Sequence, residues 1–304
     1  MKPHVVAVGG GHGLAATIRA VRRYAGQTTA VVATADDGGS TGRLRTGMAM
    51  PAPGDVRRCL AAMTEPLGDR DPGSEGSGNR ALVEALEFRF EGTDVQGHAL
   101  GNLLLAALAA VTGDFLAAVD EAARLLGIDR DRARVLPATV EPVALHAARL
   151  DGSEVRGQVA ISRMGGVERV AVQPLAARAP IPAVEAIFDA DQIVLGPGSL
   201  FTSVLAAAVV EDVLGALANS RARLVYVCNL RAEGAETFGF DVADHVAAVR
   251  RHGIDLDVVV AQAGGLPLGD LQPGVDVVTA DVARPHGLSH DSAKLAAALA
   301  ELVR

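Results

Sequence analysis

The sequence predicts an α/β protein built on a doubly wound, mostly parallel sheet with helices on both faces and a small antiparallel β insert. Three observations predict it. The chain opens with a β-branched run, a glycine loop, a helix-periodic run and a second β-branched run, which together read as a βαβ unit. The same alternation of strand and helix patterns returns in the last third of the chain. Between the two, at about residues 135–175, short runs separated by turn signals replace it. The 304 residues allow one large domain or two modest ones, at roughly 150 residues per domain. Because the α/β pattern resumes after the insert, the expectation is a single domain over 1–304.

The elements follow in order. His4–Val8 is a strand, Leu14–Tyr24 a helix and Thr28–Thr34 a strand. Asp36–Gly47, rich in Gly, Ser and Thr, reads as a loop, and Pro53-Gly54-Asp55 opens a helix through Met63. Residues 67–79 read as a flexible surface loop, because Gly, Ser, Pro and charge occur there without a period. Helices are expected at about Arg80–Phe88 and Leu100–Leu126, the second broken near Gly113. Val135–Val140, Val143–Leu150, Glu154–Ile161 and Val167–Gln173 are read as the strands of the insert, with Asp151-Gly152 as a hairpin turn. Gln192–Leu195, Leu224–Cys228, Asp257–Ala261 and Val275–Ala280 are strands of the main sheet. Helices lie within Leu200–Ala218, at Val242–His252 and at Asp291–Leu302, the last capped by Ser289 or Asp291.

Composition narrows the function. Hydrophobic residues at 49% and charged residues at 21% exclude a disordered or fibrous chain. With 3% aromatics and no Trp, the core must be built from Ala, Val and Leu. A net charge of −8 argues against a general nucleic-acid binder, although a local anion pocket is compatible with it. Cys59 and Cys228 lie far apart without metal spacing, which points to a reducing compartment. The chain enters a strand-like run at once, so no signal peptide is read, and the longest apolar stretch, Leu103–Val111, is too short to span a bilayer. The expectation is a cytoplasmic protein without a membrane span.

The chemistry should sit beyond the C-terminal ends of the strands. Gly9, Gly10, Gly11, His12 and Gly13 follow the first strand and open the first helix. Glycines let a backbone approach phosphate, and the helix start supplies free N–H groups, so this loop is read as an anion cradle of a Rossmann-like fold rather than a bare turn. Asp36 and Asp37 end the second strand, followed by Ser40, Thr41 and Arg43. They could hold a ribose, a metal–phosphate or both, and with Asp55 they form the candidate Mg²⁺ ligands if a nucleotide diphosphate binds with metal. Gly101 and Asn102 enter an apolar helix, where a structural cap and a ligand donor are equally good readings. Gly196, Pro197, Gly198 and Ser199 form a third strand-end loop and a second anion cradle. It is not a nucleophile elbow, since Pro197 and Phe201 stand where G-x-S-x-G needs glycine. Asn229 and Arg231, which leave the next strand, and Glu236 and Thr237 after them are expected to face the same crevice.

Other chemistries lack their motifs. No G-x-x-x-x-G-K-[ST], H-E-x-x-H or paired C-x-x-C occurs, so neither a P-loop nor a zinc site is expected. His286 and His290 flank Gly287 and are read as exposed or as capping partners, and Cys228 as core packing.

Taken together, GGGHG, ADDGGSTGRLR, PGDVRRCL, GHALGNLLLAAL, VLPATVEPV, VLGPGSLFTS, YVCNLRAEGAET, ADHV and SHDSAKLA occur in an order that resembles the YvcK branch of the CofD-like family, from about residue 4 to the end. YvcK proteins are also called gluconeogenesis factors. The resemblance implies a cytoplasmic bacterial protein that binds UDP-N-acetylglucosamine. It would regulate the balance of carbon metabolism with cell-wall precursor supply, and so cell shape. The sister branch implies an alternative, an Mg²⁺-dependent phospholactyl transferase acting on a nucleotide diphosphate carrier, and the glycine fingerprint with Asp36 leaves an NAD-binding enzyme as a third reading. Carried over by position, Gly9–Gly13 would surround phosphates, Asp36 and Asp37 match the acidic pair, and Gly101-Asn102, Gly196–Ser199 and Asn229 would line the crevice. Two departures stand out. Phe240 replaces the tyrosine of Q-P-G-E-T-D-G-Y, here Glu233–Phe240, and Ser289 replaces the arginine of R-H-D. Each lost charged hydrogen bond would cost about 1.5–3 kcal/mol. The implied partners are a nucleotide-sugar and an unidentified protein, and an apolar Ala/Val/Leu surface could pair two copies.

Overall fold

The computed structural model describes residues 2–64, 77–92, 94–232 and 234–303, with backbone alone at residue 46 and residues 77–79. The chain begins β1 (His4–Gly9), α1 (Gly11–Val21), β2 (Gln27–Val32), α2 (Gly39–Gly47), α3 (Gly54–Thr64), α4 (Ser77–Glu87), α5 (Leu100–Thr112) and α6 (Phe115–Leu125). It continues through β3 (Ala133–Pro137), β4 (Ala144–Arg149), β5 (Glu154–Arg156), α7 (Gln158–Ser162), β6 (Val167–Gln173), α8 (Ile181–Phe188) and β7 (Gln192–Leu195). A π-helical segment, Leu200–Leu205, runs into α9 (Ala206–Ala208), followed by α10 (Glu211–Asn219), β8 (Arg223–Val227), α11 (Val242–Arg251), β9 (Val258–Gln262), β10 (Asp276–Ala280) and α12 (Ser292–Ala300).

Seven strands form one sheet in the order β10-β9-β8-β7-β1-β2-β3, and every neighbouring pair is parallel. Period-two burial explains how so few aromatics build it. Val6 and Val8 of β1 face one apolar cluster, while Val5 and Ala7 face the opposite side. Leu224 and Tyr226 of β8 likewise oppose Val225 and Val227. Both faces are covered, as a parallel sheet requires. On one face lie α1, α3, α5, α6 and α12, and on the other α8, the π-helical segment, α9, α10 and α11. A second sheet of three strands, β5-β4-β6, is antiparallel and contributes Leu145, Ala147, Val170 and Val172 to the same cluster as Val6 and Val8.

Four expectations are corrected. The run at Val135–Val140 is not part of the insert. As β3 it pairs parallel with β2, Thr28 opposite Ala133, at the edge of the main sheet. The run Glu154–Ile161 is a short strand followed by α7, not one strand. The segment Asp36–Gly47 is helical from Gly39, because tertiary contacts outweigh its glycines: Ser40 and Thr41 are buried, and Arg45 donates to the carbonyls of Asp36 and Val143. Finally, residues 77–79 open α4, whereas the rest of the expected 67–79 loop lies outside the described residues, as does Glu233. The break near Gly113 is present, with Gly113 left-handed at the end of α5 and Asp114 capping α6 through Ala117 N–H. Asp291, rather than Ser289, caps α12. Among the described residues no single helix is long and apolar enough to cross a membrane.

Candidate functional site

Numbered along the main sheet alone, the strand order is 3-2-1-4-5-6-7, so the direction of winding reverses between β1 and β7. The loops leaving these two strands flank the crevice where ligands of such sheets bind. Gly9–Gly13 leaves β1, and Gly196–Ser199 leaves β7. The two loops are held together at backbone distance. Gly196 N–H donates to Val8 O at 3.0 Å, and the buried Thr17 hydroxyl of α1 donates to Gly196 O at 2.6 Å. A side chain on Gly13 would begin 2.1 Å from Pro197 O, and one on Gly10 would begin 2.4 Å from Asp55 Oδ2. These two glycines are therefore demanded by neighbours, and Gly11, at φ +66°, by its own conformation. Since both atoms at the Gly13–Pro197 contact belong to backbone, Gly13→Ala is expected to destabilise the fold by about 1–3 kcal/mol in urea unfolding. An unchanged midpoint would mean that the loops do not press together.

Beside these loops lies a cavity of about 450 Å³, lined by His12, Gly13, Pro197, Gly198, Asn229, Arg231, Ser289 and His290, among others. His12 and Arg231 are exposed at its mouth. Asn229 and His290 are buried in its wall, and Asn229 Nδ2 and His290 Nε2 have no protein partner. Ser199 does not line this cavity, and its carbonyl accepts from Ser203 and Val204 N–H.

The acidic residues divide between two places. Asp55, buried in the first turn of α3, accepts from Gly11 N–H and from Arg58 Nη1 at 2.6 Å. Burial pushes its carboxyl pKa up, Arg58 opposes this, and the neighbouring Asp36 raises it further. Asp36 accepts from Gly38 N–H at 2.9 Å. Asp37 instead accepts from Val159 N–H at 3.0 Å, joining the β2 end to α7. Among the described residues no three His, Cys, Asp or Glu side chains converge as a metal site. The set Asp36, Asp37 and Asp55 is therefore not assembled: the first and last are neighbours, and Asp37 is engaged elsewhere.

Ser40 and Asn102 are brought together outside the lining of this cavity. Ser40 Oγ lies 3.0 Å from His98 Nδ1 and receives Asn102 Nδ2 at 3.1 Å. Arg43 Nε donates to His98 Nε2 at 3.3 Å. A guanidinium can only donate, so Nε2 accepts and Nδ1 carries the ring proton. His98 thus donates to Ser40 and cannot serve as its base, which removes this Ser–His pair from nucleophilic chemistry. Gly101 does not line the crevice. A side chain there would meet Arg57 Cγ and Cδ at 2.8 Å, so its role is to let α5 pack on the buried Arg57.

Glu236 and Thr237 are corrections as well. The Glu236 carboxylate is buried and accepts from Phe201 N–H at 2.6 Å, Thr202 N–H at 3.1 Å and the Thr202 hydroxyl at 2.8 Å. It caps the π-helical segment after the Gly196 loop, and Thr237 is fully buried beside it. Neither lines the cavity. Sequence reading missed Thr17, and it took His290, which is buried, for an exposed or capping residue. The alternation of apolar runs carries no signal for either. It also missed a second, open cavity of about 690 Å³ lined by Arg43, Arg45 and Arg156 between α2 and the small sheet.

Fold and crevice define a Rossmann-like α/β protein with glycine loops at the switch point. A family model described as 2-phospho-L-lactate transferase CofD matches residues 5–295, and the chain belongs to this CofD family. Similar relatives include the gluconeogenesis factor of Halalkalibacterium halodurans, 39% identical over 88% of this chain and 80% of that protein, and the gluconeogenesis factor of Bacillus subtilis, 40% identical over 83% and 75%. A longer relative from Nostoc sp. is 39% identical over 81% of this chain, which spans about half of that protein, 51%. A crystal structure of a UPF0052-family protein from Bacillus halodurans superposes with a TM-score of 0.85 at 34% identity, over 98% of this chain and 99% of that one.

Proposed function

We propose that this protein is a nucleotide-sugar-binding regulator, in which the strand-end cavity takes UDP-N-acetylglucosamine and the occupied state signals to a protein partner. Through that partner it would adjust carbon metabolism, cell-wall precursor supply and cell shape. The observation that carries the reading is the cavity beside the two glycine loops, lined by Gly13, Gly198, Asn229, Arg231 and His290. Support also comes from the Ser40–His98 geometry, which offers no activated nucleophile. The two departures from the family pattern bear on the cavity differently. Phe240 packs edge-on against Phe201 and His245, away from it. Ser289 lines it, and Arg231 supplies a cation on the same lining.

Titration calorimetry with UDP-N-acetylglucosamine, NAD and GDP, each with and without Mg²⁺, tests this. Saturable UDP-sugar binding with the ligand recovered unchanged is the expected result. Binding of GDP alone, and only with Mg²⁺, would replace it with the transferase reading, which the neighbouring Asp36 and Asp55 favour. These two carboxylates fall short of the three read from the sequence, and they do not by themselves define a metal-borne step.

A further inference from the structure

The chain as a whole is acidic, at −8, yet the open cavity of about 690 Å³ between α2 and the small sheet collects three arginines, Arg43, Arg45 and Arg156, against one carboxylate, Asp37. Its size falls in the range of small-molecule sites, roughly 300–1,000 Å³. It shares no lining residue with the cavity beside the glycine loops. Among the described residues none of the three arginines forms an ion pair with a carboxylate. Arg43 donates from Nε to His98 Nε2 and from Nη2 to the Gln96 carbonyl, and Arg45 donates to the carbonyls of Asp36 and Val143. These four acceptors are neutral. They hold two guanidinium groups in place without cancelling their charge, and each group has five N–H donors to spend. Arg156, on β5, is exposed, and its side chain has no partner among the described residues. Helix α2 adds charge of the same sign. Its residues Gly39 and Gly42 line the cavity and its first turn holds no acid, so the positive end of the helix dipole lies at the wall.

We propose that this cavity is a second ligand site, for a small metabolite that carries two or more carboxylate or phosphate groups. Guanidinium groups pair with either oxyanion through two parallel hydrogen bonds, and both anions compensate their charge. A neutral sugar or a base would leave that charge as it stands, and a single anion would answer only one of the three cations. Met48, Pro142 and Ala144 give the cavity an apolar wall, which suits a short carbon body between the anionic groups. Burial works against the charge on the half-buried Arg45, with Asp37 and Asp36 opposing it, and an anion in the cavity would relieve the remainder. Arg43 and Arg45 are the fixed cations of the site, and Arg156 is the uncommitted one. The site stands whether or not the other cavity takes a nucleotide-sugar.

The test is titration calorimetry of the full chain with citrate and, separately, with pyrophosphate, for the parent, Arg156→Gln and Arg231→Gln. Arg156 makes no side-chain bond, so its variant is expected to fold as the parent does, and Arg231 lines the other cavity. At least one of the two anions should bind saturably. That binding should be at least tenfold weaker in Arg156→Gln and unchanged in Arg231→Gln. It should also weaken as salt is raised. Citrate alone would identify a polycarboxylate, pyrophosphate alone a phosphate compound, and both together a site that reads oxyanions of either kind. Binding that Arg231→Gln weakens and Arg156→Gln does not would place the anion in the other cavity and overturn the proposal. Binding indifferent to both variants, or no binding of either anion, overturns it as well. The affinity for UDP-N-acetylglucosamine is expected to be the same in Arg156→Gln as in the parent, so failure of the proposed function and failure of this second site are read from different ligands.

Discussion

Glu236→Ala is expected to lower the unfolding free energy by about 3–5 kcal/mol, enough to threaten folding on its own. The carboxylate holds the N–H groups of Phe201 and Thr202 and the Thr202 hydroxyl, and both residues are buried. Alanine would leave these donors in the interior without partner or water, at about 1–3 kcal/mol per unsatisfied group. Glu236→Gln keeps an acceptor oxygen for the backbone, and its amide can donate to the Thr202 oxygen, so it should cost roughly 1 kcal/mol. Urea unfolding of both variants distinguishes a lost cap from lost packing. An alanine variant as stable as the parent would show that the carboxylate does not hold the start of this helix.

Mild acid is expected to remove about 3 kcal/mol of stability through His290 alone. Burial pushes its pKa down to about 4, against 6.5 for a free histidine, and the Cys228 carbonyl only partly opposes this. As pH falls through 6.5 the unfolded chain takes up the proton while the folded protein refuses it until about 4. The unfolded state then binds more protons, so stability declines across that window and is fully present above it. His245 and His252, also buried and held below the ordinary value by burial, act in the same direction. Thermal unfolding followed from pH 7.5 to 4.5 should show a steep fall, shallower in His290→Phe. A melting temperature constant over this range would contradict the buried, neutral state.

Wherever local pattern decides structure, the sequence was readable. Runs such as His4–Val8 and Gln192–Leu195 are strands because β-branched side chains must cover both faces of a parallel sheet, and glycines at 9–13 announce a strand end. Pairing was less legible. The Val135 run looks the same whether its partner is β2 or a hairpin neighbour, and only the fold shows the former. Helix α2 was hidden because a nine-residue segment with three glycines has little helical propensity of its own. In the site, only His12, Gly13, Pro197 and Gly198 of the two glycine loops line the cavity, with Asn229, while Gly9–Gly11, Gly196 and Ser199 do not. Glu236 misled because its partners, Phe201 and Thr202, precede it by more than thirty residues. A buried acidic cap and a ligand-binding acid look alike in one dimension. His290 was misjudged for the complementary reason, as nothing near it in sequence signals burial.

The switch point has a consequence for how the chain comes to be folded. Val5 of β1 pairs with Gln192 of β7, so more than half of the polypeptide separates the two central strands. At about 5–20 residues per second, on the order of ten seconds or more of synthesis passes before β7 exists. During that time β1 and β2 can pair, but one edge of β1, with its run of valines, has no neighbour. Such an exposed apolar edge invites aggregation and engagement by chaperones. The crevice thus assembles late in biosynthesis, and truncated products that end before β7 would present a sticky half-sheet rather than a weakened form of the folded protein.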